Sequence, residues 1–272
     1  MQASSLAQTL EKAPVLNTAF YQAQDDEMDM FHYAHSNHLA LLLKGPTGCG
    51  KTRFVEYMAQ QIAQPLYTIS CHDDLSAADL IGRHLINSNG TYWQDGPMTK
   101  AVREGGICYL DEIIEARKDT TVLLHSLTDH RRELYIERTG EVIKAHKDFM
   151  LIISYNPSYQ SLLKGLKPST RQRFISLNFD YPSVDKEIDI IITETGVSYQ
   201  NAQQLVALAT DLRRLSDIDI KAAASTRLLI YAAKMIQSGC PINKAYQYCI
   251  VEPLSDEPET ISALKKVISA YC

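Results

Sequence analysis

The sequence predicts an α/β protein: a P-loop core built on a mostly parallel five-stranded sheet, followed by an all-helical lid domain. Three observations carry that expectation. Five apolar blocks, Leu39 to Leu43, Leu66 to Ser70, Ile107 to Leu110, Phe149 to Ser154 and Phe174 to Asn178, alternate with helical stretches, the pattern of parallel strands covered on both faces by crossover helices. Directly after the first block, Gly45-Pro46-Thr47-Gly48-Cys49-Gly50-Lys51-Thr52 satisfies GxxxxGK[ST] at every required position. Beyond Tyr181-Pro182-Ser183 the strand-like blocks cease and the remaining chain reads as helices.

Taken in order, residues 1–38 form an N-terminal helical segment, 39–182 the nucleotide-binding core and 183–272 the lid. After the phosphate loop, Phe54, Val55, Met58 and Ile62 fall on one helical face before Pro65 stops the helix. Two interruptions of the core read as β-hairpins. The first, at about 85–93, places Leu85 and Ile86 before Asn87-Ser88-Asn89-Gly90 and Thr91 to Trp93 after it, with Asn89-Gly90 as a turn signal. The second, at about 133–143, sets Leu134 and Ile136 against Val142 and Ile143 around Thr139-Gly140. Either is also compatible with a decorative loop. In the lid, Val184 to Glu194, Tyr199 to Leu215, Ala222 to Gln237 and Thr260 to Ala270 read as helices, with turns at Gly196, Gly239-Cys240-Pro241 and Pro258. The segment from Cys240 onward carries no motif, and no internal repeat is present.

Composition narrows the function classes. The 272 residues are 45% apolar, and 32 acidic against 27 basic residues leave a net charge of −5. There is no global cationic field to hold nucleic acid, so the expectation is no nucleic-acid partner. Six cysteines without a CxxC pair read as reduced thiols, and eight histidines show no zinc spacing. The N-terminus lacks the blocks of a signal peptide and no apolar run approaches a membrane span. A cytoplasmic protein without a membrane partner is expected.

The motifs specify nucleotide chemistry. Gly45, Gly48 and Gly50 let the backbone curl its N–H donors around a triphosphate. Pro46, Thr47 and Cys49 complete the loop, and Cys49 reads as a small filler, not a nucleophile. Lys51 would reach the β- and γ-phosphates of ATP, and the Thr52 hydroxyl would sit on Mg²⁺ at a helix N-terminus. Ile107-Cys108-Tyr109-Leu110-Asp111-Glu112 is an apolar strand ending in two carboxylates: Asp111 to orient Mg²⁺ and its waters, Glu112 to act as general base on the attacking water. Asn156, ending the strand Ile152 to Tyr155, suits a γ-phosphate sensor. Arg171 and Arg173 precede the last strand. Their planar, permanent charges could neutralise the transition state on a neighbouring subunit's ATP, and which of the two is the principal finger stays open. Arg227, in Ser225-Thr226-Arg227, could couple nucleotide state to the lid.

In the order GPTGCGKT, YLDE, SYNP, STRQRF and STR, these residues resemble an AAA+ ATPase of the MoxR branch from about Leu39 to Ala233. Within it, Cys71-His72-Asp73-Asp74-Leu75, Trp93-Gln94-Asp95-Gly96-Pro97, Ala101-Val102-Arg103-Glu104-Gly105 and Lys167 to Phe174 are similar to the CbbQ/NorQ/NirQ/GvpN group, with the CbbQ branch the nearest expected. That resemblance implies an ATP-hydrolysing homo-oligomer, a hexameric ring, with both hairpins on its pore side. It ranks Arg173 slightly ahead of Arg171 because it abuts the strand. It also implies a partner with a von Willebrand factor A domain, CbbO-like, and inhibited Rubisco as the client from which tight-binding sugar phosphates are released. The alternative within the group is NorQ/NirQ-type maturation of nitric oxide reductase with NorD. Two readings outside it are a nucleic-acid remodeller and a non-catalytic nucleotide-gated scaffold, the latter at odds with keeping Asp111, Glu112 and Asn156 together.

Overall fold

Successive side chains of the central strands, buried almost without a break, point alternately into two separate apolar layers, and this fixes the architecture. The computed structural model of the chain describes residues 20–88, 90–159, 165–216 and 223–271. Helix α1 (Glu27–Ser36) leads into β1 (Ala40–Lys44), and the phosphate loop joins β1 to α2 (Lys51–Gln61). Next come β2 (Leu66–Ser70), α3 (Ala77–Ile81), the hairpin β3 (Gly82–Asn87) and β4 (Gly90–Asp95), α4 (Pro97–Glu104) and β5 (Ile107–Asp111). A 3-10 turn leads to α5 (Lys118–Leu127), the hairpin β6 (Glu133–Ile136) and β7 (Glu141–Lys144), β8 (Met150–Tyr155), α6 (Pro168–Arg171) and β9 (Phe174–Asn178). Of the first hairpin's turn, Asn89 lies outside the described residues.

The sheet runs β2-β5-β8-β1-β9 and every pairing in it is parallel. Leu42 of β1, Cys108 and Leu110 of β5, and Leu151 and Ile153 of β8 enter one layer. Their neighbours Leu41, Leu43, Ile107, Tyr109 and Ile152 enter the other, against Phe54, Val55 and Met58 of α2. The chain leaves β1 for the far edge at β2 and returns strand by strand, so β1 stands at a reversal of strand order. Ligands of open α/β sheets bind beyond the carboxyl ends of the strands at such a point.

Two elements tie the hairpins to the core. The β3–β4 pair is antiparallel with Leu85 opposite Tyr92, and the β6–β7 pair has Leu134 opposite Ile143. Arg103 of α4 spans both: its Nε donates to Asp95 at 2.9 Å, and its two terminal nitrogens donate to Glu141 at 2.7 and 2.6 Å. A bidentate guanidinium–carboxylate contact of this kind carries geometric specificity as well as charge.

The helical region comprises α7 (Val184–Thr195), α8 (Tyr199–Ser216), α9 (Thr226–Gln237), α10 (Ile242–Tyr246), a π-helical turn at Gln247–Val251, and α11 (Pro258–Ile268) around its own core. Here the structure differs from the sequence reading in two places. Of the helix expected from Ala222, Ala222 itself lies outside the described residues, and the helix begins at Thr226: Ser225 is its N-cap, with extended backbone at φ −78° and ψ 153°. The carbonyl of Ala224 accepts Arg213 Nε at 2.8 Å, a tertiary contact that overrides alanine's helix propensity. The second difference is the Ile242–Leu254 run, which sequence reasoning left without elements and which buries Tyr246, Ile250 and Val251.

Truncating Arg103→Ala leaves the core untouched and unties the hairpins. Amide hydrogen exchange should accelerate across residues 133–144 while global stability changes by less than about 1 kcal/mol, the range of exposed ion pairs.

Candidate functional site

The phosphate loop's curl rests on two glycines that no other residue could replace in place. Gly50 stands at φ 105° as N-cap of α2. Gly48 stands at φ 73°, and a Cβ there would lie 2.6 Å from the side chain of Ser225, so the loop is packed directly against the start of α9. Lys51 is buried, and its ammonium donates to the carbonyls of Gly45 at 2.7 Å and Pro46 at 2.9 Å. Two of its three protons thereby hold the loop closed, and the third is available to an oxygen within it. Cys49 is buried in the same loop, and burial pushes its thiol pKa up, which keeps it a neutral packing group.

Beneath the loop a hydroxyl cluster holds Asp111. Its carboxylate accepts from Thr52 Oγ1 at 3.3 Å, from the phenol of Tyr109 at 2.8 Å, and from Ser154. The Ser154 hydroxyl in turn accepts the backbone N–H of Glu112 at 3.3 Å. Tyr109 and Ser154 are fully buried. Sequence reasoning missed both, and the available signal was a polar residue at the end of an otherwise apolar strand. Thr52 and Asp111 together present hard oxygen donors, and no cluster of three or more His, Cys, Asp or Glu occurs among the described residues. That donor set fits Mg²⁺, which takes one or two protein ligands and fills the rest of its sphere with phosphate oxygens and water.

Glu112 occupies the left-handed backbone region at φ 54°, ψ 49°, a conformation that costs a non-glycine residue on the order of 1–3 kcal/mol and gathers at functional sites. Half-burial raises its carboxyl pKa; Lys51 opposes the shift and Asp111 adds to it. A raised carboxylate is a better proton acceptor. Asn156 is buried, fixed by Ser158 N–H donating to its Oδ1 at 3.0 Å, with its Nδ2 3.5 Å from the Thr47 hydroxyl.

A cavity of about 510 Å³ opens beside these groups, within the range of small-ligand sites. Residues 47–52, Asp111 and Glu112 form its polar floor, while Arg227, Ile230, Tyr231 and Lys234 of α9 and Ile190 and Glu194 of α7 close it from the lid. Phe20, Tyr21 and Gln22 supply a wall that sequence reasoning also missed. Its Tyr21 ring packs on Phe54 and Tyr57, and its phenol donates to Glu27 at 2.7 Å. Arg171 and Arg173 are exposed and line no part of the cavity. The carbonyl of His125 accepts Arg173 at 3.3 Å. The structure therefore gathers twelve of the fourteen candidate positions, the eleven from Gly45 to Asn156 and Arg227, around the phosphate loop and leaves Arg171 and Arg173 facing outward.

Residues 40–174 match the AAA domain of the dynein-related subfamily, and residues 187–271 match the CbbQ/NirQ/NorQ C-terminal family. The chain is 57% identical to the denitrification regulatory protein NirQ of Pseudomonas aeruginosa over 93% of its own length and 98% of that protein. It is 52% identical to NorQ of Paracoccus denitrificans over 94% of each chain, and 48% identical to CbbQ of Hydrogenophilus thermoluteolus over 92% and 94%. The expectation that CbbQ stands nearest gives way: NirQ and NorQ are both more similar. A crystal structure of a RuvB point mutant from Thermotoga maritima superposes with a TM-score of 0.56 at 16% identity, covering 92% of this chain and 71% of that one, which shows the fold alone. No helix among the described residues is long and apolar enough to cross a membrane.

The elevated Glu112 carboxyl makes a sign-specific prediction. If it takes the proton from water, turnover falls as pH drops through its pKa, so the acidic limb of kcat/KM, which reports the free enzyme, should centre above the ordinary glutamate value of about 4.3. A limb at or below that value would remove Glu112 from the role.

Proposed function

The chain belongs to the CbbQ/NirQ/NorQ family of AAA ATPases, and from that premise we propose that it is an ATP-hydrolysing ring motor of the NirQ/NorQ type, acting in denitrification. The observation that carries this choice of branch is the identity gradient, 57% to NirQ against 48% to CbbQ over nearly the same span.

The proposed chemistry follows from the site. The backbone donors of residues 45–52 and the Lys51 ammonium grip the β- and γ-phosphates of ATP. Thr52 and Asp111 would hold Mg²⁺, which would supply neutralisation of charge on the phosphate oxygens. Glu112 accepts a proton from the attacking water as its oxygen bonds to the γ-phosphorus and the β–γ bridge breaks, releasing ADP and phosphate. Asn156 orients that water. Arg171 and Arg173, turned away from their own cavity, reach the ATP of the neighbouring subunit, and Arg227 closes the site from the lid. This outward placement supports shared sites in a closed ring of copies, a hexamer by the family resemblance, with both hairpins on the pore side.

The same resemblance supplies the partner and client: a von Willebrand factor A domain protein of the NorD type, and nitric oxide reductase during its maturation. A CbbQ-type reading, with a CbbO-like partner and inhibited Rubisco, retains the support of 48% identity over 92% of the chain. Supplying each pair in turn separates the two. Stimulated ATPase activity and matured reductase with the NorD-type partner are expected; reactivated Rubisco with the CbbO-like partner instead would overturn the branch.

Glu112→Gln should keep ATP bound and lose turnover by at least about a hundredfold, the span of general-base contributions. Arg173→Ala should lower turnover without releasing nucleotide, and the wild-type specific rate should climb with protein concentration through the assembly range. A monomer hydrolysing ATP at a concentration-independent rate would contradict shared sites.

A further inference from the structure

Glu187, on the first turn of α7, is fully buried, far from any expected motif, and carries an anion into the lid core. Its two oxygens accept both terminal nitrogens of Arg213 at 2.7 and 2.8 Å, and one of them also accepts the Thr226 hydroxyl at 2.6 Å. Arg213 is held on two further sides. Its Nε donates to Ala224 O at 2.8 Å and its guanidinium lies 4.0 Å over the Tyr181 ring. The Tyr181 phenol, which burial pushes up to about 12 and so keeps protonated, donates to the carbonyl of Thr47 at 3.2 Å. The contacts run without a gap from the phosphate loop at Thr47, through Tyr181, Arg213 and Glu187, to Thr226, the residue that precedes Arg227.

We infer that Glu187 and Arg213 are positioning residues, a buried ion pair that fixes Arg227 of α9 over the phosphate loop and so couples the occupied loop to the lid. Three features point there. Charge buried this deeply is costly unless its geometry is satisfied, and here the Glu187 carboxylate ties α8, through Arg213, and the first residue of α9, Thr226, to the first turn of α7. Thr226 begins α9, so the position of its hydroxyl sets the entry angle of that helix and with it the direction of Arg227. The adjacent residue, Lys186, donates to the carbonyls of Ala23 and Gln24 at 2.8 and 2.7 Å. One turn of α7 therefore holds both the N-terminal wall of the cavity and, through Glu187, its arginine.

The inference rests on the reading that Arg227 meets the bound nucleotide, and a double-mutant cycle separates the two. Thr226→Val removes the hydroxyl at constant shape and leaves the ion pair in place; Thr226→Ser restores the hydroxyl. Steady-state ATPase of the full chain, with thermal melting alongside, is measured for Thr226→Val, Arg227→Ala and both together. Thr226→Val should lower kcat about tenfold with a smaller change in KM, Thr226→Ser should recover most of it, and Thr226→Val should cost nothing further once Arg227 is alanine, because coupled residues are not additive. Glu187→Gln should behave as Thr226→Val does. Losses that multiply in the double variant, or wild-type kcat in Thr226→Val, overturn the positioning role. An Arg227→Ala enzyme with unaltered kcat and KM overturns the reading of Arg227 and the inference together.

Discussion

Everything in this molecule is arranged around one constraint: the six residues between β1 and α2, with the first turn of α2, must curl tightly enough to turn their N–H groups inward. A polypeptide does not adopt that shape unaided, because it needs left-handed backbone at Gly48 and Gly50 and leaves donors without internal partners. Three supports hold it. From within, the Lys51 ammonium bridges the carbonyls of Gly45 and Pro46. Below, β1 sits at the reversal of a five-stranded parallel sheet in which β5 ends in Asp111 and Asn156 directly follows β8. From above, Ser225 packs on Gly48 and Tyr181 donates to Thr47. The loop is thus clamped between a rigid sheet and a helical lid, and any charge placed in it is felt by both.

The energetics of the two clamps differ. The sheet side is apolar packing around a small polar cluster, where Thr52, Tyr109 and Ser154 each donate a hydrogen bond to the Asp111 carboxylate. The lid side is ionic. Removing one partner of a buried pair such as Arg213–Glu187 costs about 3–5 kcal/mol, since the other charge remains stranded. A satisfied sheet site keeps its geometry, while an ionic lid contact transmits small displacements strongly. The hairpins β3–β4 and β6–β7 extend from the same rigid half and are joined by Arg103, so they report sheet position and not lid position.

The fold was legible wherever the chain's chemistry is local. Strand periodicity, the phosphate loop and both hairpins follow from residue spacing, and the strands of the sheet begin and end within a residue or two of where the apolar blocks do. What could not be read is what tertiary contact decides. Ala222 to Ser225 has the composition of a helix, yet Ala224 spends its carbonyl on Arg213 and the helix waits for Thr226. Asp111 and Glu112 are visible as carboxylates at a strand end, but Tyr109 and Ser154 look like ordinary strand residues until β5 and β8 are side by side. Phe20 and Tyr21 carry no motif because an aromatic wall has no fixed spacing. Glu187 and Arg213 are 26 residues apart in the chain and each alone is an unremarked charge on a helix.

The central claim is that this loop holds a triphosphate through its backbone donors and Lys51. Calorimetric titration of ATP with Mg²⁺ into the wild-type chain and into Lys51→Ala tests it most directly. The account predicts saturable binding by the wild type and affinity weaker by at least about tenfold in the variant, the worth of one hydrogen bond to a charged group. Equal affinity in the two proteins, or no binding by the wild type, would contradict it.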